Sequence, residues 1–85
     1  MEPIEEAKEL LRTIYYYATR DSNILWWHSL NSETALELLN NGSLIDIYDF
    51  LTDIKDWATS EGDDVGPDWW QQNNLTKRIL SIDLS

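Results

Sequence analysis

The chain has 85 residues, 42% hydrophobic and 12% aromatic, with 16 acidic against 6 basic side chains and a net charge of −10. That length holds one domain, residues 1–85, and the apolar share is too high for a disordered acidic tail. The absence of cysteine excludes a disulfide framework and thiolate chemistry, and the charge disfavours nucleic acid and anionic membranes as partners while favouring basic surfaces.

The first predicted element is a helix over about 3–19. Pro3 suits its opening turn, where a missing N–H goes unnoticed. Ile4, Ala7, Leu11, Ile14 and Ala18 then repeat at helical spacing and mark its inner face. Glu2, Glu5 and Glu6 stand at its start and Arg20 at its end, the order the helix dipole favours. Three consecutive tyrosines, Tyr15, Tyr16 and Tyr17, point three ways round such a helix, so at least one reaches the surface.

Residues 23–30 include Ile24, Leu25, Trp26, Trp27 and Leu30, and periodicity alone does not separate a short helix from a strand there. A helix is the expectation, with Asp21 or Ser22 as its cap. Asn31 or Ser32 would cap a further short helix through Leu39, with Ala35, Leu38 and Leu39 facing in. Asn40-Asn41-Gly42 would end it, Gly or Asn taking the left-handed position.

Ser43 to Ser60 reads as the next helix. Ser43 and Asp46 form a capping-box-like pattern, and Leu44, Ile47, Leu51, Ile54 and Ala58 repeat on one face. Asp46, Asp49, Asp53 and Asp56 occupy a second arc of about 80° at 3.6 residues per turn. Gly62 would stop this helix and Glu61–Pro67 would form a loop. Pro67 or Asp68 would start a last helix reaching about residue 80, followed by an extended tail. The alternation of Leu80, Ile82 and Leu84 with polar residues leaves a short C-terminal strand as the other option. The whole is a mainly α, small compact helical domain of three to five helices.

Little in the sequence points to catalysis. His28 is the single histidine, and a general base needs a positioned proton that nothing local supplies. A chain with one His and no Cys is a poor zinc ligand set. Asp63-Asp64-Val65-Gly66-Pro67-Asp68 lacks the alternating ligands and closing Glu of a calcium loop. The expectation is a non-enzyme with no cofactor and no metal. The acidic start is not a signal peptide, and no apolar run approaches the ~20 residues of a membrane span. Both favour the cytoplasm of a bacterial host cell.

What stands out is the distribution of charge. Residues 21–76 hold eleven acids and a single base, Lys55. The four aspartates span about 15 Å and recur about every 5 Å, on the scale of the phosphate repeat of a nucleic-acid strand. An ordinary solvated helix face mixes lysines with its acids; this one does not. Phe50 and Trp57 border the arc, and a half-exposed aromatic among carboxylates would add cation–π contact to charge. Glu61, Asp63, Asp64 and Asp68 would extend the row.

The expected partner-binding set is therefore Asp46, Asp49, Asp53, Asp56, Phe50, Trp57, Glu61, Asp63, Asp64 and Asp68. The expected role is an acidic inhibitor, monomer or homodimer, that occupies a basic nucleic-acid-binding surface. The partner would be a nuclease, CRISPR effector, restriction enzyme or polymerase, as for the phage-encoded DNA mimics of the anti-CRISPR and anti-restriction type. A bacterial immunity protein against a basic toxin is the first alternative. An adaptor subunit that uses the Trp pairs 26–27 and 69–70 as apolar patches is the second, although core packing is the commoner use of Trp in so small a domain.

Overall fold

The computed structural model describes residues 2–60 and 66–84, and these form five helices with no strand among them. Helix α1, Pro3–Ala18, has proline in its first turn and buries Ala7, Leu10, Leu11, Ile14 and Ala18. Its C-terminal carbonyls are well satisfied. The Thr19 N–H and hydroxyl both donate to the Tyr15 carbonyl, and Arg20 Nη1 donates to that of Tyr16 at 2.8 Å. Arg20 also lies 4.0 Å over the Tyr16 ring, so a cation closes the negative end of the helix.

Residues 21–28 correct the expectation of a helix. Asp21 does not cap one; its Oδ1 accepts the N–H of Asn23 at 2.9 Å and closes a tight turn instead. The chain then runs irregularly through Trp26 and Trp27 to α2, Ser29–Asn41, whose N-cap is His28. The residues read as caps sit inside its first turn and fasten the preceding segment. Asn31, buried, donates from Nδ2 to the Trp26 carbonyl at 2.8 Å, and Ser32 Oγ accepts from Trp27 Nε1 at 3.0 Å. Helix α2 packs with Ala35, Leu38 and Leu39 inward.

Gly42 ends α2 in an extended conformation, φ −74°, rather than the left-handed one expected. Close approach explains the glycine, since a Cβ there would stand 2.7 Å from the Leu38 carbonyl oxygen. Helix α3, Leu44–Ser60, follows at once. The capping box forms reciprocally: the Asp46 N–H donates to Ser43 Oγ at 3.2 Å, and the Ser43 N–H to Asp46 Oδ2 at 3.4 Å. The core face carries Ile47, Phe50, Leu51, Ile54 and Ala58.

The segment expected as one last helix is two. Helix α4, Asp68–Gln72, and α5, Leu75–Leu80, are separated by Asn74 in the left-handed region at φ 52°, which asparagine tolerates better than most residues. Gly66, at φ +80°, carries the chain over the Trp70 ring, where a Cβ would come within 3.0 Å of Cδ1. Trp70 is buried beneath it and donates from Nε1 to Thr76 Oγ1 at 2.8 Å, joining α4 to α5.

Leu80, at the end of α5, and Leu84 are exposed while Ile82 is buried, and 82–84 are neither helix nor strand. Helices α1 and α3 form the centre, packed on each other and each against α2 and α5, with an ion pair from Arg78 to Glu6 at 3.5 Å tying α5 to α1. Most of the expected Glu61–Pro67 loop, with the Gly62 stop, lies outside the described residues. Among those described, no helix is long and apolar enough to cross a membrane.

Candidate partner-binding face

The outer side of α3 is built by helix geometry alone. Ile47, Leu51 and Ile54 are fully buried, and Asp46, Asp49, Asp53 and Asp56 all stand exposed on the other side. The four carboxylates are not equivalent. Asp46 is engaged in the cap of its own helix. Asp56 accepts an ion pair from Lys55 Nζ at 2.9 Å, so the single base of the acidic stretch reaches round to the row. Asp49 and Asp53 have no side-chain hydrogen bond or ion pair among the described residues. The most unsatisfied charge is thus at the middle of the helix.

The two bordering aromatics part company. Phe50 corrects the expectation of a half-exposed ring: it is only 9% exposed and belongs to the core. The reason is that α3 is covered by α5 as well as α1 and α2, which widens its buried arc beyond a single stripe. Trp57 keeps 38% of its surface in solvent beside Asp53 and Asp56, and Ile45, 52% exposed, flanks the other end of the face. Asp68 is exposed at the start of α4. Glu61, Asp63 and Asp64 lie outside the described residues. Among those described, no three acidic or histidine side chains converge as a metal site would require, and His28 is exposed at the head of α2. What this face offers is a line of anionic charge with one indole beside it.

A second assembly was not legible from spacing. The two Trp pairs meet. Trp26 lies 6.1 Å from Trp69 and 6.3 Å from Trp70, centroid to centroid. Tyr17 stacks on Trp69 at 5.4 Å with the planes 10° apart, and Tyr15 meets Trp27 edge-on at 6.2 Å. Trp69 Nε1 donates to Asp21 Oδ2 at 2.8 Å. Trp70 is buried, whereas Trp26, Trp27 and Trp69 are half-buried, so the cluster is core with an open rim. Only the recurrence of Trp-Trp at two sites hinted at it.

No family model matches the chain, and no curated protein or solved structure matches it either. The reading of the site rests on its own chemistry.

Proposed function

We propose that this protein is a stoichiometric inhibitor that lays the outer face of α3 into a basic, nucleic-acid-binding surface of another protein. One observation carries the reading: four aspartates stand in solvent along one side of a helix whose other side is buried, and among the described residues only one of them is paired with a cation. Asp46 also caps its own helix, but like charges at this spacing oppose the helix by a few tenths of a kcal/mol per pair, so Asp49 and Asp53 give the fold nothing in return. A Lys/Arg-lined channel would supply the missing counter-charges. Within that class the DNA mimics of the anti-CRISPR and anti-restriction type are the best functional analogues, by charge and size only.

The test is capture of proteins from a bacterial lysate on immobilised chain at low and high salt. The expected catch is a basic nucleic-acid-binding protein, released steeply as salt rises. It should no longer be retained by the variant with Asp46, Asp49, Asp53 and Asp56 all replaced by Asn. A complex indifferent to salt and to that variant would refute the proposal.

A further inference from the structure

Where the turn at 21–26 meets the start of α4 the rim of the Trp cluster opens into a cleft, walled by Asp21, Ile24 and Trp26 on one side and by Pro67, Asp68 and Trp69 on the other. We infer that this cleft takes a single arginine side chain of the partner, its guanidinium against the indoles of Trp26 and Trp69 and paired with the carboxylates of Asp21 and Asp68. The inference rests on the basic partner proposed above, but it concerns a different surface from α3.

Three features of the cleft select a guanidinium. First, indole is the best aromatic surface for a cation, and the planes of Trp26 and Trp69 lie at 43° to each other, splayed rather than stacked. Trp69 is held in place by Tyr17 stacked on one of its faces. Second, Asp21 is oriented in advance. Oδ1 accepts from the Asn23 N–H and Oδ2 from Trp69 Nε1, and each carboxylate oxygen keeps a further lone pair for an incoming donor. Third, the negative charge is uncompensated. The ion pairs among the described residues are Lys55 with Asp56 and Arg78 with Glu6, and neither involves Asp21 or Asp68. A guanidinium suits such a cleft better than an ammonium because it is planar, weakly hydrated, and able to stack and to fork hydrogen bonds at once.

The experiment follows the indole N–H resonances of the 15N-labelled protein during titration with a blocked Gly-Arg-Gly tripeptide and with its citrulline analogue, the neutral isostere. The arginine peptide should shift the Trp26 and Trp69 signals saturably, with citrulline weaker by about tenfold or more. Asp68→Asn, at an exposed position, should weaken the arginine titration about threefold or more. Asp21→Asn should do the same, its single amide oxygen accepting from either Trp69 Nε1 or the Asn23 N–H but not from both. Asp49→Asn with Asp53→Asn should leave it unchanged.

Equal shifts from citrulline would overturn the inference, as would an arginine response untouched by Asp68→Asn, or one lowered equally by the α3 pair. The two surfaces also separate at the level of the complex. A partner lost with the fourfold α3 variant but held normally by the doubly substituted Asp21→Asn, Asp68→Asn chain removes the cleft and leaves the acidic face. Loss in the opposite pattern removes the face and supports the cleft.

Discussion

Helix α3 and the tryptophan cluster make opposite uses of the chain. The aspartate row is set by local geometry: any helix over Leu44–Ser60 places those four residues together, and nothing distant is needed. The cluster is non-local. It exists only when the end of α1, the irregular 22–28 segment and α4 converge, and its Trp69–Asp21 bond joins residues 48 apart. The row is exposed and electrostatically unfavourable to its own helix; the cluster is largely enclosed and holds the small domain together. Substitutions at Asp49 and Asp53 should therefore alter binding with little effect on folding, whereas substitution of the buried Trp70 should act first on folding.

The sharpest way to break that contrast is Trp70→Ala. Its side chain is buried and bonded to Thr76, so its loss should cost about 3–5 kcal/mol, read as a lower urea midpoint. A variant as stable as the parent would mean that the cluster is ornament rather than core. Trp69→Phe is gentler: stacking on Tyr17 survives while the bond to Asp21 goes. About 1–2 kcal/mol is expected, together with faster amide exchange in residues 21–28. Smallest are the changes on α3, and they should differ in sign. Asp46→Ala breaks the capping box and should cost about 0.5–1 kcal/mol. Asp49→Asn with Asp53→Asn should instead stabilise by a few tenths of a kcal/mol in low salt, a gain that fades as salt is added. Urea curves at two ionic strengths distinguish them, and destabilisation by the Asp49, Asp53 pair would show the row to be part of the fold.

How much the sequence disclosed follows the same division. Ala7, Leu11, Ile14 and Ala18 on α1, and Ile47, Leu51, Ile54 and Ala58 on α3, could be read because burial repeats at the period of the helix. The box at Ser43 and Asp46 could be read because it is local. Leu10 was overlooked, although fully buried, since α1 contacts α2, α3 and α5 and buries a wider arc than one stripe. Phe50 was misplaced for the same reason. The 22–28 segment defeated a helical reading because Asp21, Asn31 and Ser32 spend their polar groups on a turn and on the tryptophans rather than on caps. At the candidate site the exposed aspartates and Trp57 were foreseeable from periodicity. The cleft between Asp21, Trp26, Asp68 and Trp69 was not, because tertiary docking alone creates it.

The Trp69–Asp21 bond also bears on the order of folding. It closes a loop that contains the whole of α2 and α3, and the entropy of closing so long a loop must be spent before the bond gives anything back. The α4 side of that clasp is weak on its own, since α4 has only five residues, far below the length at which an isolated helix persists in water. Docking of the C-terminal arm is then expected as a late step, after α1 and α3 have met.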